Sequence, residues 1–213
     1  MLAIEDTLEL IFPGRKNLVR LESKLGAAGE VVTMNDCLKN ALRMRPDRLV
    51  VGEVRGEEAG TLFNAMNVGH SAMGTLHANS PGESIARLTN PPMNVPVNMM
   101  PLMDLIVVQH KMRSGESLKR RVTNVVEVVK SEVGVSFSEI YSYDPASDKI
   151  FRTDVPSQKE EKLANLAGVK VVELKKEREN KKQILNKMLK EGISKFDEVQ
   201  DLIQQYYIDP GQF

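Results

Sequence analysis

RPDRLVVGEVRGEEAGTLFNAMNVGHSAMGTLHAN, at residues 45–79, contains two short apolar runs that each lead to a polar side chain. The first run, residues 49–51, is followed by one glycine and Glu53, and the second, residues 73–78, is predicted as a strand that carries His77 to its end. An acid at the carboxyl end of a buried parallel strand lies where open α/β sheets bind ligands. There it can orient a magnesium ion and a water molecule beside a nucleotide phosphate. The pattern predicts a parallel sheet with a ligand site at one edge.

The surrounding residues 1–110 alternate short apolar runs with helical patterns, which is typical of βαβ units in an α/β fold. A helix is predicted to begin after Thr33, because Asp36 occupies the third helical position of a capping box. A second helix is predicted over residues 57–67, and residues 105–109 are predicted to form another buried strand. The apolar residues of the first helix recur at the spacing of one face: Met34, Cys37, Leu38, Ala41 and Leu42.

The pattern changes after residue 111, where residues 121–130 and 136–143 alternate between apolar and polar side chains. This alternation predicts antiparallel strands, and we expect them as a β-meander added to the edge of the parallel sheet. From about residue 158 the chain is charged and helical, and Gly192 interrupts the pattern. The tail therefore predicts a C-terminal helical hairpin. Its apolar faces are predicted to be Ile184, Leu185, Met188 and Leu189 on one helix and Val199, Leu202, Ile203 and Tyr206 on the other.

These patterns divide the chain into two predicted domains, residues 1–155 and residues 156–213. Composition adds constraints on function. Lys plus Arg number 29 and Asp plus Glu number 29, so nothing in the net charge favours capture of nucleic acid or anionic lipid. A single cysteine excludes an intrachain disulfide and is typical of a reducing compartment. No apolar run approaches the roughly 20 residues that span a bilayer, so we expect a cytoplasmic protein.

A third acidic motif lies near the amino terminus, where residues 4–10 read IEDTLEL. A carboxylate near the terminal phosphate of a nucleotide can polarise the attacking water, and a second can hold magnesium through its hydration shell. Glu5 and Asp6 are adjacent on a strand, so only one of them can point directly at the site. The alternative interpretation is an exposed strand-to-loop junction with solvated acids.

Glu53 and His77 each have a functional and a structural interpretation. An acid that ends an apolar strand needs solvent or a ligand, so Glu53 is a candidate catalytic and magnesium-binding residue, unless it merely pairs with Arg55 or Arg48. An imidazole N–H of His77 can donate to a terminal phosphate oxygen. A lone histidine is nevertheless often a structural residue.

Basic residues supply candidate phosphate contacts. Arg43, Arg45 and Arg48 cluster just before the acidic strand, where guanidinium groups could clamp phosphate, including across a subunit boundary. The alternative is that they balance the dipole at a helix end. Arg20 is a weaker candidate of the same kind, and Arg55 joins the nucleotide-binding candidates.

The three motifs, taken in order, resemble a known family. IEDTLEL, RLVVGEVRGEEA and AMNVGHSAMGTLHAN are similar to the Asp, Walker B and His boxes of the type II/IV secretion ATPases. RLTNPPMNVP and the tail ending in QQYYIDP resemble the archaeal branch of the family, which serves secretion, type IV pili and the archaellum. By this resemblance Glu5 matches the catalytic carboxylate of the Asp box, Glu53 the Walker B acid and His77 the histidine of the His box.

The resemblance implies a RecA-like P-loop ATPase core, a hexameric ring and the cofactors ATP and magnesium, with Asp6 beside Glu53 at the metal. It also implies coupling of ATP hydrolysis to export or assembly of pilin-like subunits, with an inner-membrane platform protein as partner. Membrane association is then expected only through partners.

One departure from the family pattern is large, because the sequence contains no G-x-x-x-x-G-K-[ST] phosphate loop. Without that loop, the backbone donors and the lysine that cradle the phosphates are missing. We therefore expect the C-terminal part of a motor, its core lacking the N-terminal half and inactive alone. The alternative is a non-catalytic ring or adaptor module with the same fold. A RecA-like nucleic-acid motor is disfavoured by the zero net charge and the few aromatic residues available for base stacking.

Overall fold

The computed structural model describes residues 1–14, 17–24, 26, 31–114, 117–132 and 134–212. Of these, residues 1–10 and 17–157 form one compact unit, and residues 11–14 and 158–212 form a second. The predicted domain boundary lies between residues 155 and 156. The short segment that begins at Ile11 belongs to the second unit, together with the helices from residue 158 onward.

The first unit contains a four-stranded parallel sheet in the order β2-β1-β3-β4. Its register sets Ile4 opposite Val51, and Val51 opposite Gly74, so the carboxyl ends of β1, β3 and β4 lie side by side. The parallel sheet predicted from the apolar runs is therefore present. Its strands are β1 (Leu2–Glu5), β2 (Val19–Glu22), β3 (Arg48–Val51) and β4 (Ser71–Gly74).

Three helices belong to this part of the chain: α1 (Met34–Arg43), α2 (Glu58–Asn67) and α3 (Pro81–Thr89). The predicted capping box is confirmed, because the Asp36 N–H donates to the Thr33 hydroxyl oxygen and Asp36 accepts from the Thr33 N–H. These two hydrogen bonds satisfy two of the four backbone N–H groups that have no partner within the helix at the start of α1. Such a cap typically stabilises a helix by about 1 kcal/mol.

The core of the first unit forms where α1 and α2 pack with the parallel strands. Cys37, Leu38 and Ala41 of α1 are buried there, as their spacing predicts, and Met100 is fully buried in a 3-10 helix, Val97–Leu102. Burial of each large apolar side chain contributes about 1.5–3 kcal/mol. This packing gives the parallel strands a rigid support, so the loops at their carboxyl ends start from fixed positions.

The antiparallel strands form a sheet of their own, in the order β5-β6-β7-β8. The predicted meander is present, but its predicted position at the edge of the parallel sheet is wrong. The reason is that β5, expected as a further buried strand of the parallel sheet, pairs along its length with β6, and its Leu105 and Val107 are exposed. The strands are β5 (Leu105–Ser114), β6 (Ser117–Ser131), β7 (Gly134–Asp144) and β8 (Lys149–Arg152).

The second unit contains three helices, α4 (Gln158–Ala167), α5 (Val171–Glu191) and α6 (Phe196–Ile208), rather than the two of the predicted hairpin. Gly192 ends α5 in the left-handed conformation, with φ of 70°, as a C-terminal glycine commonly does. Ile184, Met188 and Tyr206 form the buried cluster between α5 and α6. Leu185 and Leu189 were predicted on the buried face, but they are 53% and 78% exposed, because α5 buries only a narrow stripe. Among the described residues, no helix is both long and apolar enough to cross a membrane.

Candidate functional site

Four polar side chains gather where the parallel strands end, and we call Asp6, Glu53, Arg55 and His77 the carboxyl-edge cluster. Asp6 follows β1 directly, Glu53 and Arg55 lie in the loop after β3, and His77 lies in the segment after β4. Because the strands are parallel neighbours, these loops leave the sheet at the same edge. The structure thus brings together residues from all three sequence motifs.

Glu53 is the centre of the cluster. Its Oε1 lies 3.2 Å from His77 Nε2, and its Oε2 accepts a hydrogen bond from Arg55 Nη2. The hydrogen bond from Arg55 lowers the pKa of Glu53 below its ordinary value; partial burial opposes this, and the charges of Arg55 and His77 add to it. Glu53 is 21% exposed whereas His77 is 83% exposed, so the pair faces outward. The carboxylate is therefore charged, oriented and accessible to a ligand.

Three hydrogen bonds hold the loop after β3 against β1 and the segment after β4. The N–H of Gly52 donates to Ile4 O at 2.8 Å, and the N–H of Val54 donates to Thr75 O at 2.9 Å. The Thr75 hydroxyl donates to Gly52 O at 2.5 Å. A Cβ on residue 52 would lie 3.0 Å from Cγ of Glu5, so the close approach of the two strand ends requires glycine. These contacts explain why Glu53 and His77 meet.

Glu58 is a contributor that the sequence interpretation missed. It is 7% exposed, and its Oε1 accepts hydrogen bonds from the backbone N–H groups of Arg55 at 2.6 Å and Gly56 at 2.7 Å. Glu58 is the first residue of α2, so its carboxylate fixes the turn that presents Arg55. The available signal was an acid in the first helical turn, which is a common capping feature.

Asp6 is the most accessible acid of the cluster at 52% exposed. Its Oδ2 lies 3.9 Å from Arg55 Nη1, and its Oδ1 accepts a hydrogen bond from the Ser23 hydroxyl. Asp6 therefore points along the carboxyl edge toward the same guanidinium that contacts Glu53.

Glu5 has a different environment from its neighbour. It is 2% exposed, and its Oε1 accepts from the N–H groups of Glu9 at 2.8 Å and Leu10 at 2.7 Å. Its Oε2 accepts from Arg20 Nη2 at 3.0 Å. Burial alone raises the pKa of Glu5, but the Leu10 and Glu9 N–H groups and the Arg20 guanidinium outweigh it, so the pKa lies below its ordinary value. Both oxygens are occupied, and this geometry is that of a structural carboxylate rather than of a base open to water.

The other predicted nucleotide-binding arginines do not reach the carboxyl-edge cluster. Arg20 is engaged by Glu5, as described above. Arg43 ends α1 and Arg45 follows it, so both precede the amino end of β3, at the opposite edge of the sheet from Glu53. Arg48 begins β3, and residues 49–52 separate it from Glu53, with a rise of roughly 3.3 Å for each residue of the strand. Within one chain, Arg55 is the only predicted arginine that contacts the carboxyl-edge cluster, since Arg20 is bound to Glu5.

The residues at this edge fit a magnesium ion in part. Among the described residues, no group of three or more His, Cys, Asp or Glu side chains is arranged to hold a metal. Magnesium, however, is commonly held by one or two carboxylates, with water and substrate phosphates completing the octahedron. Glu53 and Asp6 are hard oxygen donors of that kind, and both already face one cation, Arg55.

The sequence of this chain is similar to those of known proteins. A sequence model of the family described as type II/IV secretion system protein matches residues 1–203. The uncharacterized protein MJ1287 of Methanocaldococcus jannaschii is 33% identical over 195 residues, which are 89% of this chain and 72% of that protein. VirB11 of Agrobacterium fabrum is 37% identical over 89 residues, which are 41% of this chain and 26% of that protein.

Among solved structures, the VirB11 ATPase of the Brucella suis type IV secretion system, in complex with sulphate, shares 27% identity with this chain. It superposes with a TM-score of 0.49 and covers 59% of this chain and 39% of that chain. The chain thus spans about a quarter to two fifths of the VirB11 proteins it matches. Since the family pattern extends over residues 1–203, the chain belongs to the type II/IV secretion system protein family.

Proposed function

We propose that this chain provides the Walker B and histidine part of a motor ATPase that couples ATP hydrolysis to export or assembly of pilin-like proteins. The observation that carries the proposal is the contact of Glu53 with His77 and Arg55 at the carboxyl ends of β3 and β4. A charged acid, an exposed imidazole and a guanidinium at one sheet edge suit phosphoryl transfer, where catalysis depends mainly on positioning and electrostatics.

Each residue of the carboxyl-edge cluster has a role in this proposal. Glu53 and Asp6 would hold the magnesium ion, which when bound neutralises the charge of the phosphates. His77 donates its ring N–H to the terminal phosphate and senses its presence. Glu53 also orients the attacking water. Arg55, once freed from Glu53, supplies a planar fork for phosphate oxygens.

The proposal departs from the sequence prediction at Glu5. We assign Glu5 a positioning role, because it fixes the loop that follows β1 and so sets the place of Asp6. Its own oxygens accept three hydrogen bonds of 3.0 Å or less. Activation of water by Glu5 would first require one of them to break.

The phosphates need a further binding element, since the 213 residues contain no phosphate loop. We propose that this element comes from another part of a RecA-like core, on the same or a second polypeptide. Among the described strands, β4 lies at one edge of the parallel sheet and β2 at the other, so a further strand of the core can pair with β4. Arg43 and Arg45 lie near the amino end of β3, and they would act across a subunit boundary in a hexameric ring. A membrane platform protein would then be the partner that receives the movement.

The test joins the chain to a homologous region that contains G-x-x-x-x-G-K-[ST] and measures magnesium-dependent ATP hydrolysis. The isolated chain should neither bind ATP tightly nor hydrolyse it. The joined protein should hydrolyse ATP, and replacement of the phosphate-loop lysine should remove that activity. Calorimetric titration of the isolated chain with ATP and magnesium measures binding. One-to-one binding with a micromolar dissociation constant, a binding free energy of about −8 kcal/mol, would contradict the proposal.

A second candidate is a non-catalytic ring or adaptor module. The observation that favours it is the neutralisation of Glu53 by Arg55, together with the missing phosphate loop. The same experiment separates the two candidates. A joined protein that assembles but does not hydrolyse ATP, while keeping its fold, supports the adaptor.

A further inference from the structure

Arg55 directs the two arms of one guanidinium toward two different carboxylates. Its Nη2 donates to Glu53 Oε2, and its Nη1 lies 3.9 Å from Asp6 Oδ2. These are the two acids that the proposed function assigns to magnesium. The guanidinium therefore lies between the oxygen atoms that the metal would use.

Hydrogen bonds hold the backbone of Arg55, whereas its side chain is exposed and contacts Glu53 and Asp6. Glu58, buried at 7% exposed, accepts from the Arg55 N–H at 2.6 Å and from the Gly56 N–H at 2.7 Å. A Cβ on Gly56 would lie 3.1 Å from Glu58 Oε2, so the carboxylate packs closely against this turn. The Arg55 side chain itself is 65% exposed. Only side-chain rotation is needed to move the guanidinium away from the two acids.

We propose that Arg55 is an internal cation that competes with magnesium for Glu53 and Asp6, and that Glu58 is the positioning residue that holds Arg55 in place. The inference rests on the proposed function, because it takes these two acids as the metal ligands. A guanidinium stays protonated at every physiological pH, so it offsets one of the two negative charges for as long as it stays between the acids.

The competition has a consequence for selectivity. Free magnesium must displace Arg55 without offering it another partner, whereas magnesium that arrives with nucleotide brings phosphate oxygens. Arg55 can then exchange its contacts with the two carboxylates for contacts with phosphate, which a guanidinium can bind through two parallel N–H groups. The site therefore favours the metal–nucleotide complex over the free ion.

The test uses the isolated chain and manganese as the probe, because its unpaired electrons broaden nearby NMR signals. Manganese is titrated into the wild type, Arg55→Gln and Arg48→Gln, and broadening is followed at the amides of residues 52–56 and at the His77 ring. Arg48→Gln removes the same charge at the other end of β3 and serves as the matched control. We expect Arg55→Gln to bind manganese at this edge about tenfold more tightly, since a cation a few ångströms from the ligands is removed. Arg48→Gln should match the wild type.

Glu58→Ala and Arg55→Lys extend the test. Glu58→Ala should increase affinity by a smaller factor, about threefold, because Arg55 stays present but is less restrained. Arg55→Lys keeps the charge and should stay close to the wild type. Circular dichroism confirms that each variant is folded, and the exposed Arg55 side chain makes Arg55→Gln a mild change.

Three results would overturn the inference: equal affinity in the wild type and Arg55→Gln, an equal gain in Arg48→Gln, or broadening centred away from residues 52–56. The assay needs no hydrolysis, so its outcome is separate from that of the proposed function. A joined protein without ATPase activity, combined with tighter manganese binding by Arg55→Gln, would reject the motor and leave the competition in place.

Discussion

The ends of β1 and β3 carry the same sequence pattern, an apolar strand that runs into a glutamate, yet the two carboxylates have opposite surroundings. Glu5 is 2% exposed and has both oxygens bound by protein donors. Glu53 is 21% exposed and shares its contacts with side chains that are themselves exposed. The loop after each strand makes the difference. Residues 6–10 turn back and place N–H groups on Glu5, whereas the N–H groups of residues 55 and 56 are taken by Glu58.

The largest effect expected from this difference is on hydrolysis by the joined motor. Glu53→Gln should lower the rate by a hundredfold or more, because it removes the charge that would hold magnesium and orient water. ATP binding should stay nearly unchanged, since the phosphates are held by the phosphate loop. Steady-state turnover and a nucleotide titration measure the two quantities. A variant with near-wild-type turnover would remove Glu53 from the catalytic site.

The matching change at the other strand end should act on folding. Glu5→Ala should lower the free energy of unfolding of the isolated chain by about 2–3 kcal/mol, because it leaves two N–H groups and Arg20 without their acceptor. Urea denaturation measures the loss. Glu53→Ala is the matched control and should cost much less, since its partners face solvent.

A double variant sharpens this result. In Glu5→Ala/Arg20→Met the cost should be smaller than the sum of the two single changes, because the partners of a pair couple in a mutant cycle. Additive costs would show that the Arg20 contact contributes nothing to stability, and Glu5 would then owe its effect to the Glu9 and Leu10 N–H groups alone.

A smaller effect is expected when acid protonates Glu5. The pKa of Glu5 is lower in the folded chain than in the unfolded chain, where a glutamate titrates near about 4.3. Its contribution to stability is therefore complete above that pH and is lost as the pH falls through the folded value. We expect the unfolding free energy of Glu5→Gln to fall less steeply below about pH 4.3 than that of the wild type. Parallel curves would mean that Glu5 carries no pH-dependent stability.

The smallest effect is expected for His77→Ala. His77 is 83% exposed, so the melting temperature of the isolated chain should hardly change. In the joined motor, loss of one phosphate contact should weaken coupling between nucleotide state and movement by up to about tenfold. A lower melting temperature with normal activity per folded molecule would make His77 a structural residue.

The sequence predicted helix α1 well, because the evidence for a helix is local. The capping box at Thr33 and the one-face spacing of Cys37, Leu38 and Ala41 concern interactions within a few residues, and the structure confirms them. The placement of the antiparallel strands failed because alternation shows that a residue lies in a strand but not which strand it pairs with. The hydrogen bonds from β5 to β6 decide that, and they are not visible in the pattern of β5 alone.

In the candidate site, too, local features were predictable and contacts between distant residues were not. The position of Glu53 just after a strand was predictable from the apolar run before it, whereas the strand predicted over residues 73–78 is wrong, because β4 ends at Gly74, three residues before His77. That both Glu5 oxygens accept hydrogen bonds was not predictable, because these bonds depend on the turn of residues 6–10 and on Arg20 in β2. Nor could spacing show that Arg43 and Arg45 lie at the opposite edge from Glu53, since that follows from the direction of β3. The role of Glu58 was not predictable from spacing, because its carboxylate binds the backbone N–H groups of Arg55 and Gly56.

The most direct test of the contrast between the two strand ends is carbodiimide labelling of carboxylates on the folded, isolated chain. Modification with an amine at Glu5, Asp6 and Glu53 is followed over time by mass spectrometry, with fragmentation to separate the adjacent Glu5 and Asp6. We predict that Asp6 and Glu53 are modified while Glu5 remains unmodified until urea unfolds the chain. Modification of Glu5 in the folded chain at the rate of Asp6 would contradict the assignment of one structural and one reactive carboxylate.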